Sequence, residues 1–545
     1  MLMRRIPLLV LATAVFVSAV SAAIPFSHTQ SDLKPDPAAR FGTLPNGLRY
    51  VIRPNQEPRE RASMRLLIEA GGVHETEKQL GLAHFLEHLA FNGSENYPPG
   101  TLIEFFQRMG MSFGGDTNAS TWYTRTLYLI ELPETKPEDI VEGLKVFRDY
   151  AGGLLLQVPE IEKERGIILS EKRTRDSVGY RTWLATNNFL LRDTMFAKRD
   201  VIGTNEIIST AGRDEFLDFY NTWYRPELMS LVVVGDINVE AMEQKILAAF
   251  ASLEPRAPAR DQPDLGRVQH PDGVSVFHHA EPEAPDTNVT IATVVPYSPE
   301  PDTAANRLKY LPRTLAHAML SRRLAMLART EGAPFIRGSA GAGEAYRFYR
   351  QTVMSLSTRG DQWADALAVA DQELRRALEH GFQAAELQEG VATFRNSLEQ
   401  AAKTASTRRS TELADEIANG LLEREVFTTP SDDLALYAPV LEKVTVEDCV
   451  AALRTTWSAP HRLIMVTGNA PIPAGNEGEA AIAAVYEKSN TVAVAPPTEI
   501  AAAAWAYTDF GPAGKVTKRE HVADLDVTLL TFDNGVRLNL KKTDF

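Results

Sequence analysis

The stretch GLAHFLEHLAFNG, residues 81–93, contains two histidines four positions apart with a glutamate between them. Hydrophobic periodicity predicts a helix over Gly81–Phe91, and residues four apart lie on one face of a helix. His84 and His88 can therefore direct two imidazoles to one point. Glu87 projects to the same side of the helix but is displaced around it. This pattern is typical of a pair of metal ligands with an acid beside them.

Two neutral imidazoles and a nearby carboxylate are the groups that hydrolytic zinc requires. The alternative is that His84 and His88 are surface neighbours and that Glu87 is a solvated helix residue. The flanking sequence favours the metal site, because buried polar groups need partners and one ion satisfies both histidines. A buried helix is predicted by the apolar residues on almost every side, which are Leu82, Ala83, Phe85, Leu86, Leu89, Ala90 and Phe91.

Length and composition indicate a globular protein of several domains. The chain has 545 residues, of which 44% are hydrophobic and 23% are charged. Its formal net charge of −14 argues against a nucleic-acid partner, which needs a basic surface. The single cysteine, Cys449, excludes an internal disulfide and a multi-cysteine metal site. A metal ion should therefore rely on nitrogen and oxygen ligands.

The N-terminus has the pattern of an export signal. Arg4 and Arg5 precede the uncharged apolar stretch 6–20, and the small residues Ser21–Ala23 follow it. Cleavage after Ala22 predicts a periplasmic or secreted protein with no stable membrane insertion. An uncleaved anchor is the alternative, although the stretch is short for a membrane span, which needs about 20 apolar residues.

The chain is predicted to be an α+β protein of two homologous domains, each a largely antiparallel sheet packed with helices. Strands and helices interleave without regular βαβ alternation. The strand Met229–Val234 is echoed by Arg462–Val466, and each ends at a glycine-containing turn. Asn534-Gly535 resembles Asn46-Gly47, and each leads into a strand. This second Asn-Gly turn predicts the start of a truncated third repeat; a short terminal β-ribbon is the alternative.

Composition sets the expected domain boundaries. A region rich in Pro, Asp and Arg predicts a linker, and a region rich in Ala and Pro predicts a tether. The expected segments are a signal peptide (1–22), an N-terminal extension (23–40), a catalytic zinc-binding domain (41–255), a linker (256–273), a second homologous domain (274–490), a tether (491–525) and the start of a third repeat (526–545).

A catalytic zinc ion usually takes three protein ligands, so a further carboxylate is expected. The helix predicted over Pro159–Arg175 carries Glu164 and Glu171, which are two turns apart on one face. Ile167 and Ile168 lie between them, which predicts that this face is buried. Surface salt bridges are the alternative for both glutamates.

Four segments, in this order, resemble the pitrilysin family of inverzincin metallopeptidases, and more closely its exported bacterial four-domain members. They are HFLEHLAFNGSENYPPG (84–100), GGDTNAST (114–121), ERGIILSE (164–171) and YRPELMSLVVVGDI (224–237). The resemblance is strong over residues 41–255 and weaker over residues 274–490. It implies a peptidase with one Zn²⁺ per chain.

The resemblance also assigns residues. It implies that Glu171 is the third ligand, beside His84 and His88, and that Glu164 is a supporting carboxylate that orients the site. The spacing between the histidines and Glu171 is longer than is usual in the family, so Glu164 stays open as the ligand, although the helix phase favours Glu171. Asn118 and Ala119 match an edge strand to which an extended peptide substrate adds as a further strand.

The expected function is zinc-dependent endopeptidase activity on peptides or unfolded protein segments. Glu87 would activate a metal-bound water and pass its proton to the leaving amine. The family places an Arg and a Tyr on a far half of the enzyme; the chain has Arg329, but Pro334-Phe335 stands where two-domain relatives have the tyrosine. The alternative is therefore a non-catalytic or half-enzyme peptide-binding subunit. Such a subunit would need a C-terminal half, a partner chain or a second copy.

Overall fold

The computed structural model describes residues 24–498 and 508–543. The expected signal peptide, residues 1–22, lies outside the described residues. In the part of the chain that is described, no helix is both long enough and apolar enough to cross a membrane. The described residues form two large sheets and one small sheet, with helices packed on the large ones, so the predicted α+β class is confirmed.

The first unit is built on a six-stranded sheet. Its strands are β1 (Arg40–Thr43), β2 (Arg49–Pro54), β3 (Ala62–Ile68), β4 (Thr117–Thr121), β5 (Thr126–Leu132) and β6 (Met229–Gly235). They lie in the order β1-β2-β6-β3-β5-β4, and all neighbours are antiparallel except β2 and β6. Every residue of β3 and β6 is buried, as expected for strands that are covered on both faces.

Nine α-helices are described in this unit, and two of them, α1 and α4, carry the histidines and glutamates of the candidate site. The helices are α1 (Leu82–Leu89), α2 (Thr101–Arg108), α3 (Pro137–Gly152), α4 (Val158–Arg175), α5 (Val178–Leu190), α6 (Met195–Lys198), α7 (Asn205–Thr210), α8 (Arg213–Trp223) and α9 (Val239–Phe250). Helix α1 contacts β4, α4 and α8, which places the histidine-bearing helix between the sheet edge and the later helix with the two glutamates.

The second unit repeats this plan. Its strands are β7 (Gly273–Ala280), β8 (Thr287–Pro296), β9 (Arg337–Ala345), β10 (Tyr349–Thr358) and β11 (His461–Gly468). Its helices are α10 (Ala304–Lys309), α11 (Leu311–Leu327), α12 (Trp363–His380), α13 (Ala384–Lys403), α14 (Ser410–Glu423), α15 (Pro430–Leu441), α16 (Val446–Thr456) and α17 (Asn476–Asn490). The order β7-β11-β8-β10-β9, with β7 and β11 parallel, matches β2-β6-β3-β5-β4 strand for strand.

The two units exchange helices. Helix α14 lies between β10 and β11 of the second unit in sequence but packs on the first sheet. The buried cluster at this contact includes Val51, Leu67, Leu127, Val232, Val234, Leu413, Ala414, Ile417, Ala418 and Leu421. Arg65 adds an ion pair across this contact, 2.7 Å from its Nε to Oδ1 of Asp415. Helix α5 of the first unit lies against β7 and β11, and Phe189 stacks on Phe277 with ring centroids 4.9 Å apart. The units are therefore joined through packed cores.

A small antiparallel sheet follows the second unit, with strands β12 (Val516–Val522), β13 (Val527–Phe532) and β14 (Arg537–Leu540). The C-terminal end of the predicted tether, 491–525, contains β12. That stretch lacks Ala and Pro, and it pairs with β13. Gly47 and Gly535 have φ angles of 94° and 83°, so the two Asn-Gly turns share a left-handed glycine. The third repeat stays a prediction.

Candidate metal centre

Helix α1 begins at a glycine that no other residue can replace without strain. Gly81 has a φ of 92°, and a Cβ added there would lie 2.5 Å from the Cα of Gly203. The carboxylate of Glu75 then caps the helix, because its two oxygens accept hydrogen bonds from the N–H groups of Gly81 (2.9 Å) and Ala83 (2.8 Å). The first turn, which carries His84, is thereby fixed.

The structure brings His84, His88 and Glu171 together. The Nε2 atoms of the two histidines lie 3.6 Å and 3.3 Å from the two carboxylate oxygens of Glu171. One ligand atom from each of the three residues lies within 4.8 Å of the others, and no other such trio occurs among the described residues. Two imidazole nitrogens and one carboxylate oxygen form the donor set of a catalytic zinc site, so these residues fit the ion.

Glu164 lies beside this trio and contacts one of its histidines. Its Oε1 is 2.9 Å from Nδ1 of His88, and its Oε2 accepts a hydrogen bond from Nδ2 of Asn92 at 2.6 Å. The Nδ1 contact leaves Nε2 of His88 directed at Glu171. The structure therefore places Glu171 in the trio and Glu164 behind one of its histidines, an arrangement that resembles the carboxylates that orient histidines in metal sites.

Helix α4 differs from its sequence prediction at one residue. Ile161, Glu164 and Ile168 are buried, but Ile167 is 47% exposed, so the prediction that Ile167 lies on a buried face is wrong. Successive residues are about 100° apart around a helix, so Ile167 and Ile168 diverge to opposite sides of the glutamate stripe. Ile168 belongs to the buried cluster that also contains the apolar residues of α1.

Glu87 is held beside the trio by a hydroxyl group. Oγ1 of Thr121, the last residue of β4, donates to Oε2 of Glu87 at 2.6 Å. Glu87 is 6% exposed, and burial raises its pKa to about 7, although the Thr121 hydrogen bond and the nearby charge of His88 oppose this shift. A carboxylate with this pKa can accept a proton near neutral pH.

The three candidate ligands differ in charge. Burial, and then the neighbouring His88, lower the pKa of His84 to about 3, so its imidazole is neutral. Burial also lowers the pKa of His88, but the hydrogen bonds to Glu164 and Glu171 outweigh burial and raise it to about 9. For Glu171, burial is outweighed by the hydrogen bond to His88 and by nearby positive charge, and its pKa falls to about 2.

Arg175 adds a positive charge beside the trio of His84, His88 and Glu171. It lies one turn after Glu171 on α4, and its Nη2 is 2.5 Å from Oε1 of Glu171 and 3.4 Å from Nε2 of His84. Its side chain is 41% exposed, so the guanidinium has room to turn towards solvent. Sequence reasoning did not single out Asn92 or Thr121, because their partners, Glu164 and Glu87, are distant in sequence and lie on other elements.

The predicted substrate-binding residues lie on the outermost strand of the first sheet. Strand β4 ends the strand order of its sheet and pairs with β5, and Asn118 and Ala119 lie near its centre. The N–H of Ala119 donates to Oδ1 of the Asn118 side chain at 2.9 Å. An extended peptide could pair with this edge, and its main chain would then replace the Asn118 side chain as the partner of Ala119.

The motifs and this geometry agree with comparisons to known proteins. Residues 50–184 match the family described as Insulinase (Peptidase family M16), and residues 210–394 match the Peptidase M16 inactive domain. The chain belongs to peptidase family M16. The resemblance to the pitrilysin metallopeptidases that the motifs indicated is thus confirmed.

Several relatives of this M16 chain carry zinc-protease names. It is similar to the probable zinc protease PqqL of Escherichia coli (strain K12), with 26% identity over 513 residues, or 92% of this chain and 54% of that protein. It is also similar to a zinc protease PQQL-like protein of Arabidopsis thaliana, with 25% identity over 93% of this chain and 50% of that protein. The M16 chain therefore spans about half the length of these relatives.

Solved structures give the same fold. The crystal structure of the periplasmic protease PqqL from Escherichia coli matches with a TM-score of 0.79 and 25% identity, over 96% of the M16 chain and 57% of that chain. The first half of PqqL matches with a TM-score of 0.78 and 24% identity, over 88% of the M16 chain and all of that one.

Proposed function

We propose that the chain is a zinc-dependent endopeptidase whose ion is held, one per chain, by His84, His88 and Glu171. The observation that carries the proposal is the convergence of these three side chains with Glu87 buried beside them. The zinc-protease names of relatives support the same chemistry. Glu164 is assigned to the orientation of His88.

The proposed mechanism is hydrolysis of a peptide bond. A zinc ion bound by these ligands would polarise the scissile carbonyl and lower the pKa of a water molecule. Glu87 takes a proton from the water molecule as the water oxygen bonds to the carbonyl carbon. Glu87 then gives that proton to the amine nitrogen as the carbon–nitrogen bond breaks. Thr121 holds Glu87 in place for both transfers.

The substrate is proposed to be a peptide or unfolded segment that pairs with β4. The open edge of β4 and the Ala119 N–H support this assignment. Export to the periplasm is supported by the N-terminal pattern and by the similarity to a protease described as periplasmic.

The test combines zinc stoichiometry with cleavage of a quenched fluorescent peptide library. We expect one zinc per chain and chelator-sensitive cleavage. Glu87→Gln should abolish cleavage and retain zinc, because it removes the base but no ligand. Glu162→Gln, at a 58% exposed position on α4, is the matched control and should behave as wild type. Wild-type cleavage rates in Glu87→Gln, or a chain without zinc, would refute the mechanism.

A second candidate is a half-enzyme that binds peptide but needs further domains for catalysis. The observation that favours it is that the chain spans about half the length of its curated relatives. In that case the same experiment gives one zinc per chain and no cleavage. Activity that appears when a second pair of M16 domains is added, as a partner chain or in the same chain, would establish this candidate.

A further inference from the structure

An exposed tryptophan stands at the end of the open strand. Trp122 directly follows Thr121 in the turn between β4 and β5, and its side chain is 41% exposed. Thr121 points towards α1, where its hydroxyl contacts Glu87, and Trp122 is the next residue, just beyond the end of β4. A large apolar ring therefore lies beside the edge to which a peptide is proposed to bind.

The tryptophan is fixed from several sides. Its carbonyl accepts a hydrogen bond from the N–H of Gly72 at 3.0 Å, and its indole Nε1 donates to the hydroxyl of Tyr346 at 2.9 Å. The rings of Tyr123 and Trp183 each lie 5.6 Å from the indole, centroid to centroid. A side chain held in this way loses little conformational freedom when a ligand packs on its exposed face.

The hydroxyl that accepts from Trp122 belongs to Tyr346 of the second unit, and the turn that carries Tyr346 has a strained backbone. Tyr346 and Arg347 have φ angles of 52° and 54°, and Phe348 N–H closes the turn onto Ala345 O at 3.0 Å. Such a turn normally uses Gly, Asn or Asp at these two positions, because bulky residues are strained at positive φ. The turn is held by the Trp122 contact and by a 2.7 Å hydrogen bond from Arg347 to the carbonyl of Glu423.

The tryptophan also directly follows the residue that holds the proposed base. Thr121 contacts Glu87 at 2.6 Å, and the next residue of an extended strand is about 3.4 Å further along. Trp183 continues the aromatic surface to Tyr180, with which it stacks at 5.9 Å. A peptide strand that passes Glu87 would thus place a nearby side chain over Trp122.

We propose that Trp122 forms the wall of a subsite that selects peptides with an aromatic or large aliphatic residue one or two positions from the scissile bond. Trp183 supports the ring, and Tyr346 is a positioning residue that acts through the indole N–H. The inference rests on the proposed function, since it takes β4 as the strand with which the peptide pairs. It adds a preference for particular substrate side chains, which the geometry of the metal ligands alone does not give.

The first experiment measures binding without turnover. Fluorescein-labelled peptides of one extended sequence carry either Phe or Ala at each position in turn, and anisotropy is measured with the full chain in the Glu87→Gln background. At one position we expect Phe to bind about ten-fold more tightly than Ala, from partial burial of an aromatic side chain. Trp122→Ala should reduce this ratio to below about three-fold, and Tyr346→Phe should give an intermediate ratio.

The control variant is Phe510→Ala, at an 83% exposed aromatic outside the two large sheets, and it should keep the full ratio. No preference at any position, no peptide binding, or a preference retained in Trp122→Ala would overturn the inference. Cleavage of the same peptides by chains that retain Glu87 is measured separately. If no peptide is cleaved, the proposed catalysis fails, while the binding ratio still decides the role of Trp122.

Discussion

Glu164 Oε1 lies 2.9 Å from Nδ1 of His88, and this contact sets the direction in which the imidazole faces. The second oxygen of Glu164 is held by Asn92 at 2.6 Å, so the carboxylate itself is fixed. Because Nδ1 faces Glu164, Nε2 is the ring nitrogen on the side of Glu171, 3.3 Å from its Oε2. The relationship supports the proposal that Glu164 orients His88 rather than binding the metal ion itself.

Loss of this contact should weaken metal binding. We expect Glu164→Ala to lower zinc affinity by about 10- to 100-fold, because His88 loses the partner that orients it. Competition with a chromophoric chelator measures the affinity without any need for activity. Glu162→Ala, two residues away on the exposed side of α4, should leave it unchanged. An unchanged affinity in Glu164→Ala would show that His88 is oriented by other contacts.

Gly81 should be required for the position of α1. In Gly81→Ala the new Cβ would meet the backbone of Gly203, so we expect a loss of about 3 kcal/mol or more of unfolding free energy and weaker zinc binding. Gly100→Ala is the matched control, since Gly100 also has a positive φ of 84° but has open space around it. It should cost only about 1–2 kcal/mol, the strain of the left-handed conformation. Denaturant unfolding compares the two, and equal losses would argue against the close contact.

His74 should make the stability of the chain depend on pH. Its Nδ1 accepts from the N–H of Gly71 and its Nε2 lies 3.0 Å from Oε1 of Gln262, so the buried ring is neutral. Burial lowers its pKa from 6.5 to about 4. Between these two values the unfolded chain binds more protons than the folded chain, so stability is full above about pH 6.5 and falls as the pH drops towards 4.

Urea unfolding at pH 7 and pH 5 measures this effect. His74→Gln removes the titrating group, so its loss of stability between the two pH values should be smaller than that of wild type, by about 1–2 kcal/mol. His84 shifts in the same direction but is present in both proteins, so the difference isolates His74. An identical pH dependence in the two proteins would contradict the assignment.

The exchange of α14 should make the two units unfold together. Ile417 of α14 is 1% exposed against the first sheet, so Ile417→Ala should cost about 2–5 kcal/mol, and Ile417→Val about 0.5–1.5 kcal/mol. Circular dichroism, which follows both units, and fluorescence from a dye on the first sheet should give one coincident transition in each variant. Two separate transitions would show that the exchanged helix does not couple the units.

Local sequence patterns predicted the parts of the site that lie on single elements. The four-residue spacing of His84 and His88 places them on one face of any helix, and the apolar residues around them predicted that the helix is buried. The helix phase also predicted that Glu164 and Glu171 lie on one stripe. Which side of α4 is buried depends on the elements that pack against it and not on the helix sequence alone. Ile167 is therefore exposed although it lies near that stripe.

The sequence by itself determined the α+β class, the repeated strand pattern and the pair of histidines, because these depend on periodicities of 3.6 and 2 residues along one element. Only the tertiary structure decided which glutamate meets the histidines, that Thr121 holds Glu87, and that Tyr346 supports Trp122. It also decided the crossing of α14 to the first sheet. Such contacts join residues tens to hundreds of positions apart, and their geometry is set by the packing of whole elements.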